Sequence, residues 1–287
     1  MIDPKIYALY DEYCHSGMSR RDFLTRAAGL AVTGYAMAQA LLPDYASAQE
    51  VKPDDARILT EYVTYDSPGG NSGKMKGLLA RPKGEGPFPA VLIVHENRGL
   101  NPYIEDVARR AALAGFVALA PDALSVVGGY PGNDDEGKIM QAKLDRSKIL
   151  VDMKNSAYFL KQHALSNGKL GVTGFCFGGW VSNALAVDMG ADLLAAAPFY
   201  GRAPENLSDV PKIKAKLLIH YAEVDEGVNA TREGYQEALK KSGASFEQYT
   251  YKTTQHGFHN YSTPRYDQGA AKLAWDRTTE FFKKTLN

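Results

Sequence analysis

The chain has 287 residues, of which 45% are apolar and 23% are charged, and this balance is typical of a soluble globular protein with one large α/β domain or two small ones. Thirty-three basic residues match 33 acidic residues. Because no basic stripe or block of like charges stands out, neither nucleic acid nor an anionic membrane is an expected partner. The two cysteines, Cys14 and Cys176, do not form a Cys-x-x-Cys pair, which argues against a disulfide scaffold or a thiolate zinc site.

Residues 1–48 differ in composition from the rest of the chain. Ser19-Arg20-Arg21-Asp22-Phe23-Leu24 precedes a run of small apolar residues from Ala27 to Leu42, and Ala46-Ser47-Ala48 follows Pro43. The apolar run is too short and too weakly hydrophobic to span a membrane. The order of these parts resembles a twin-arginine export signal with a signal-peptidase site, which predicts a periplasmic protein.

A second interpretation keeps this segment as an N-terminal helical arm of a cytoplasmic protein. Residues 1–26 carry four basic and four acidic side chains, whereas an export signal begins with net positive charge. In this interpretation Ser19 caps a helix, and Ala27 to Leu42 form a helix that packs on the domain or on a partner subunit. The order of the motifs favours export, but the sequence leaves both interpretations open.

Residues 49–287 alternate between predicted strands and helices. The first two strands are expected to pair as an antiparallel hairpin, and Ala90 to Val94 has the unbroken apolar character of a strand buried on both faces of a parallel sheet. In chain order, strands are predicted at 58–65, 74–80, 90–94, 116–120, 170–173, 193–200, 216–221 and 246–251, and helices at 104–114, 146–163, after 176, 231–241 and 267–284. The alternation predicts an α/β fold with a mostly parallel central sheet, helices on both faces and an antiparallel N-terminal hairpin. Between Asp122 and Asp145 a long loop is predicted, which would help to shape a substrate pocket.

The strongest chemical signal is Gly174-Phe175-Cys176-Phe177-Gly178, which lies between a predicted strand and a predicted helix. The two glycines allow a sharp turn that lifts Cys176 above the sheet, at a helix N-terminus that favours a thiolate. This is the pattern of a nucleophile elbow, with cysteine in place of the commoner serine. A packed structural cysteine is the alternative, whereas the patterns of a dinucleotide-binding loop and of a P-loop do not match.

A nucleophilic thiol needs a base, and the base needs an acid that orients it. In α/β-hydrolases the acid follows a late strand and the histidine follows the last strand. Asp225 and His256 occupy these two positions. Glu223 and Glu226 remain alternatives for the acid, and His259 remains an alternative for the base.

A second motif, His95-Glu96-Asn97-Arg98-Gly99-Leu100-Asn101, follows the strand at 90–94. In this fold that loop donates the second oxyanion N–H group. A carboxylate beside an oxyanion is unfavourable unless it has a function, so Glu96 is expected to hold the resting thiol protonated or to accept its proton. The alternative is a surface ion pair between Glu96 and Arg98.

From about Glu61 to the C-terminus, these residues together resemble the dienelactone hydrolase family, also called the carboxymethylenebutenolidases. The resemblance rests on Glu96-x-x-Gly99-Leu100-Asn101, Ala120-Pro121-Asp122, the cysteine elbow, Phe199-Tyr200-Gly201, Asp225 and His256-Gly257-Phe258. It implies a triad of Cys176, Asp225 and His256 that hydrolyses an ester or enol-lactone through an acyl-thioester, with no cofactor. It also implies that Glu96 is linked to the thiol and that Asn97 and Phe177 supply the oxyanion N–H groups.

The sequence departs from this family after the histidine. Family members have Ser next and Arg three residues later, and these help to hold a substrate carboxylate, but here the two positions are Gly257 and Asn260. Substrate contacts are therefore expected from Arg98, Tyr200 and Arg202. Arg265 is a further candidate cation.

The sequence thus predicts a hydrolase of a small-molecule ester or lactone that needs neither a cofactor nor a metal. A non-catalytic α/β-hydrolase used as a binding or structural module is the alternative, since a fold does not guarantee an activity. A redox thiol protein is disfavoured because Cys176 lacks a resolving cysteine nearby in sequence. Assembly into homo-oligomers is left open.

Overall fold

The computed structural model describes residues 3–16, 18–31, 33–42 and 49–287. The predicted cleavage site, Ala46-Ser47-Ala48, lies outside these residues. All candidate catalytic residues named above lie within these ranges, in strands, in helices or in the loops that join them.

Eight strands form one sheet. They are β1 (Ile58–Ser67), β2 (Gly73–Pro82), β3 (Phe88–Val94), β4 (Val117–Asp122), β5 (Ser166–Phe175), β6 (Ala195–Phe199), β7 (Lys216–Val224) and β8 (Phe246–Gln255). Their order across the sheet is β1-β2-β4-β3-β5-β6-β7-β8. The pairs β1/β2 and β2/β4 are antiparallel and the remaining pairs are parallel, which confirms the predicted α/β-hydrolase architecture with its antiparallel N-terminal hairpin.

Helices flank the sheet and also precede it. They are α1 (Pro4–His15), α2 (Arg20–Leu30), α3 (Gly34–Gln39), α4 (Pro102–Leu113), α5 (Asp134–Ala142), α6 (Arg146–Gln162), α7 (Phe177–Asp188), α8 (Glu226–Asn229), α9 (Arg232–Ser242) and α10 (Gln268–Leu286). Helices α6, α7 and α9 contribute to the apolar core on one face of the sheet, and α4 and α10 contribute to the core on the other face.

Strand β3 shows why the sheet is covered on both sides. Leu92 and Val94 belong to one core, and Val91 and Ile93 belong to the other; each of these side chains is at most 1% exposed. Full burial of one such side chain contributes about 1.5–3 kcal/mol. The unbroken apolar run is therefore the signature of a strand between two layers of helices.

The prediction of a long loop between Asp122 and Asp145 was wrong in part. Ala123–Val127 form a 3₁₀ turn, and α5 follows with Asn133 as its cap, since the Asn133 side chain accepts bonds from the N–H groups of the first turn. Tertiary contacts stabilise this short helix: Gln141 Oε1 accepts a bond from the N–H of Gly99 (3.0 Å). Sequence periodicity does not report contacts of this kind.

Helices α1 to α3 form a small bundle with its own buried cluster, which includes Tyr10, Tyr13 and Phe23. The side chain of Ser19 accepts a bond from the N–H of Asp22 and caps α2. The stretch from Ala27 to Leu42 is divided between two helices rather than forming one, since α2 ends at Leu30 and α3 begins at Gly34. No helix within the described ranges is long and apolar enough to cross a bilayer.

Candidate active site

Cys176 lies in the tight turn between β5 and α7. Its φ is +55° and its ψ is −111°, a conformation that residues with side chains rarely adopt and that costs about 1–3 kcal/mol. A Cβ atom on Gly174 would stand 2.2 Å from the carbonyl oxygen of Gly178, and one on Gly178 would stand 2.2 Å from that of Val94. Glycine is therefore required on both sides, and the turn presents Cys176 at the N-terminus of α7, where the helix dipole favours a thiolate.

A histidine and a carboxylate form a hydrogen-bonded row with Cys176. Asp225 follows β7 and His256 follows β8, and the two buried side chains meet with His256 Nδ1 2.6 Å from Asp225 Oδ2. The side chain of His256 is also hydrogen-bonded to Cys176. Burial lowers the pKa of His256, but the negative charges of Cys176 and Asp225 outweigh it and raise that pKa to about 9. A protonated His256 is thus stabilised between two acidic groups at neutral pH.

The rival residues for these roles lie elsewhere. Glu223 is exposed and accepts bonds from Lys252 Nζ (2.7 Å) and from the N–H of Thr253 (2.8 Å). Glu226 is also exposed, in the first turn of α8. His259 is fully buried, with its Nδ1 2.7 Å from the hydroxyl of Tyr103. The structure therefore brings Asp225 and His256, and not these alternatives, to the cysteine.

Glu96 is buried beside this row. It is 7% exposed, and its Oε2 accepts a bond from Asn260 Nδ2 (3.0 Å). Burial raises the pKa of Glu96, and the negative charge of Cys176 raises it further, whereas the nearby cations oppose the shift only in part. Burial of this kind favours the protonated form of a carboxyl group relative to water. Arg98 pairs instead with Asp134 (2.8 Å), so the surface ion pair between Glu96 and Arg98 is not formed.

The loop that carries Glu96 is fixed by buried hydrogen bonds. His95 bonds through Nδ1 to the carbonyl oxygen of Glu96, and its Nε2 accepts from the N–H of Ala123 (3.1 Å). The N–H of Leu100 donates to Asp122 Oδ1 (3.2 Å). These bonds satisfy polar groups that would be costly to bury alone, and they hold the loop in one position next to the elbow.

A cavity of about 680 Å³ opens over Cys176, a size typical of sites for small molecules. The sequence-predicted residues that line it are Asn97, Cys176, Phe177, Tyr200, Arg202, Asp225 and His256. Glu96 and Arg98 are not among the lining residues. Tyr200 is buried, with its ring centroid 5.0 Å from that of His256, whereas Arg202 is exposed.

Sequence reasoning missed one part of this cavity. Asp11, Glu12 and Ser16, from α1 and the residue that follows it, also line the space above Cys176. A signal for α1 was present, because the apolar residues at 6, 9, 10 and 13 follow the spacing of one helix face. Nothing in that spacing indicates where the helix docks.

The fold and the position of the elbow define an α/β-hydrolase. Residues 75–286 match the sequence model of the Dienelactone hydrolase family, and residues 1–31 match a model described as YqhI-like. The chain belongs to the dienelactone hydrolase family. It is accordingly a hydrolase that acts on ester or lactone bonds.

Individual relatives agree with this assignment. The putative hydrolase fragment YghX of Escherichia coli (strain K12) is 56% identical over 115 residues, which are 40% of this chain and 97% of that protein. A putative carboxymethylenebutenolidase from the same strain is 30% identical over 246 residues, 81% of this chain and 89% of that protein. The crystal structure of a putative dienelactone hydrolase from Klebsiella pneumoniae is 27% identical, with a TM-score of 0.68 over 79% of this chain and 99% of that one.

Proposed function

We propose that the protein hydrolyses a small-molecule carboxylic ester or lactone with Cys176 as the nucleophile, through an acyl-thioester. The observation that carries this proposal is the buried row from Asp225 through His256 to Cys176 at the floor of the cavity, with 2.6 Å between the carboxylate and the imidazole. Because Nδ1 of His256 faces Asp225, Nε2 is the nitrogen left to face the thiol. This is the geometry that a base needs to accept and return one proton.

In the proposed reaction, the thiolate of Cys176 attacks the carbonyl carbon and a C–S bond forms. The carbonyl electron pair moves to the oxygen, which the backbone N–H groups of Asn97 and Phe177 would stabilise. Collapse of this intermediate breaks the C–O bond, and the leaving oxygen takes the proton from His256. Water then attacks the thioester while His256 accepts its proton, and the carboxylate product leaves as Cys176 is restored.

Glu96 has a separate proposed role, which is to control the proton on Cys176. The burial of this carboxyl group, which raises its pKa, and its contact with Asn260 support this role, since a raised pKa makes it easier for the group to hold a proton. It is not proposed as the nucleophile. An ionised Glu96 would add negative charge behind the cavity wall and would disfavour an oxyanion in the site. A proton on Glu96 removes this repulsion.

Hydrolysis of a chromogenic short-chain ester by wild type, Cys176→Ala and His256→Ala tests the proposal. Both variants should lose several orders of magnitude in rate, as expected when the residues act as a unit. His163→Ala is the matched control, because His163 is the C-cap residue of α6 and does not line the cavity. Residual activity near wild type in Cys176→Ala would identify another nucleophile. Ligand binding without turnover in wild type would instead support the non-catalytic module.

The location of the protein stays a prediction. Export would remove residues 1–48, whereas cytoplasmic retention would keep α1 to α3 on the domain. Mass spectrometry of the protein from its native host distinguishes the two. A mature start at Gln49 supports export, and an intact N-terminus in the cytoplasmic fraction supports retention.

A further inference from the structure

Helices α1 to α3, here called the N-terminal arm (residues 3–16, 18–31 and 33–42), are folded around their own aromatic cluster. Phe23 is fully buried, with its ring stacked on that of Tyr13 at 4.8 Å and tilted against that of Tyr10 at 5.6 Å. Aromatic pairs at these separations stabilise a packed core. The arm therefore has a hydrophobic core of its own.

The end of α1 is attached to the hydrolase domain by one donor from helix α5 and one from the loop after β3. The last carbonyl groups of a helix have no partner within the helix. Lys138 Nζ donates to the carbonyl oxygens of Tyr13 and Met18, and Asn97 Nδ2 donates to that of Cys14 (2.9 Å). A cation and an amide thus satisfy the negative end of the helix dipole, and one of these donors is the residue proposed to form the oxyanion site.

Two buried guanidinium groups complete the attachment. Arg98 Nη2 lies 3.2 Å from the sulfur of Cys14, and Arg265 Nη2 lies 3.7 Å from it. Arg265 also pairs with Asp11 (3.1 Å), and its side chain is 6% exposed. Its guanidinium stands 3.3 Å from where a Cβ of Gly257 would be. The arm therefore supplies Cys14 and Asp11 as partners for two buried cations. Arg98 belongs to the loop after β3, and Arg265 lies beside the loop that carries His256. A buried cation without partners is costly.

These attachments hold the first helix against the cavity. Asp11, Glu12 and Ser16 line it together with Cys176 and Phe177 of the elbow. We infer that the N-terminal arm forms part of the wall of the active site. It holds Asn97 and Arg98 in position and limits the size of the substrate group that reaches Cys176. This inference rests on the proposed role of Cys176 and on retention of residues 1–48, and it adds the positioning and size-selecting residues to that role.

The test releases the arm by two independent changes in the full-length protein. Phe23→Ala removes the centre of the aromatic cluster without touching the cavity, and Lys138→Met removes the donor to the end of α1. Because Lys138 also lines the cavity, the ratio at Cys176 is taken from Phe23→Ala, and Lys138→Met is judged by the labelling of Cys14. Leu30→Ala is the matched control, because it truncates an apolar side chain of the same helix as Phe23 but at a position that is 45% exposed. Thermal unfolding of each variant verifies that the hydrolase domain remains folded.

The first readout is alkylation followed by peptide mass spectrometry, with a small maleimide (N-methyl) and a bulky one (N-pyrenyl). Release should raise the labelling rate of buried Cys14 by about tenfold or more, as for a locally opened segment. It should also raise the bulky-to-small ratio of rates at Cys176 by about fivefold or more, because the wall is gone. Leu30→Ala should change neither quantity.

The inference would be overturned if Cys14 became reactive while the bulky-to-small ratio of labelling rates at Cys176 stayed unchanged. The arm would then not limit access to Cys176. Protection of Cys14 that persists in both release variants would overturn it too, since the assigned anchors would not hold the arm. Neither readout needs turnover. If wild type hydrolyses no ester, the proposed function fails while the labelling ratio still decides the role of the arm. If it does, the preference for acetyl over octanoyl esters in kcat/KM should fall on release.

Discussion

The substitution Asp225→Asn isolates the charge that holds His256 in its protonated form. Asparagine keeps the size of the side chain, and its amide oxygen can still accept the bond that Asp225 Oδ1 takes from the N–H of Val228 (3.2 Å). The change therefore removes one negative charge at 2.6 Å from the imidazole and leaves the cap of α8 in place. A loss of activity would then report electrostatics and orientation rather than unfolding.

The magnitude follows from the pKa of His256. Burial lowers it, but Cys176 and Asp225 together raise it to about 9, from an ordinary value of 6.5. One unit of pKa corresponds to about 1.4 kcal/mol of preference for the charged form. Asp225 contributes to this rise through its hydrogen bond and its negative charge, so its loss should lower the pKa of His256. A neutral replacement of a triad acid also disturbs the tautomer and reduces kcat by about 10⁴-fold in serine proteases.

The assay is the pH dependence of kcat/KM for a chromogenic ester. In the proposed mechanism, attack requires the thiolate and the imidazolium together, so wild-type activity should fall as the pH rises through about 9, where His256 loses its proton. In Asp225→Asn that decline should begin at lower pH, and kcat should fall by about 10³ to 10⁴. Glu226→Gln, the exposed neighbour, is the control and should keep the wild-type profile. An unaltered profile in Asp225→Asn would refute the reasoning.

Three further outcomes are expected. Glu96→Gln should lower hydrolysis but leave Cys176 open to alkylation by iodoacetamide, because the proposed role of Glu96 is to control the proton on Cys176 and not to act as the nucleophile; an unchanged rate and pH profile would contradict this role. Gly178→Ala should prevent stable folding or lower Tm by well over about 4 °C, since its Cβ would stand 2.2 Å from the carbonyl oxygen of Val94, and a melting curve like that of wild type would show that the elbow can yield. Matched esters with and without a carboxylate should differ by less than about tenfold in kcat/KM, because the two buried arginines near the site already pair with Asp134 and Asp11 and strong carboxylate recognition needs available bidentate donors. A large preference for the acid would mean that another cation binds it.

The sheet was predictable because its strands carry local signals. Ala90 to Val94 is apolar at every position, and the structure buries all five side chains between two layers of helices. The order of Cys176, Asp225 and His256 along the chain likewise placed them at the ends of β5, β7 and β8, where parallel strands direct their loops to one edge. These inferences depend only on residue type and chain order.

Contacts between distant residues explain what was missed. The helix α5 is short and contains Gly137, a residue with low helix propensity. A Cβ atom on Gly137 would stand 2.4 Å from the carbonyl oxygen of Arg98, so the glycine allows a packing contact between residues 39 positions apart in the sequence. The docking of α1 depends on bonds from Asn97 and Lys138 to main-chain carbonyl groups. Every residue has such a group, so the sequence does not show which of them will accept a bond. Apolar periodicity could indicate that α1 is a helix but not that it lines a cavity.

The order of strands has a consequence for how the enzyme should lose activity in denaturant. Cys176 follows β5 near the middle of the sheet, whereas His256 follows β8, an edge strand whose only neighbour in the sheet is β7. Edge elements with exposed side chains open at lower free-energy cost than central ones. Inactivation by urea should therefore precede the loss of the central strands, and amide hydrogens of β8 should exchange faster than those of β3 and β5. In the proposed mechanism, activity is then limited by the stability of the edge of the sheet, even though the proposed nucleophile, Cys176, follows a central strand.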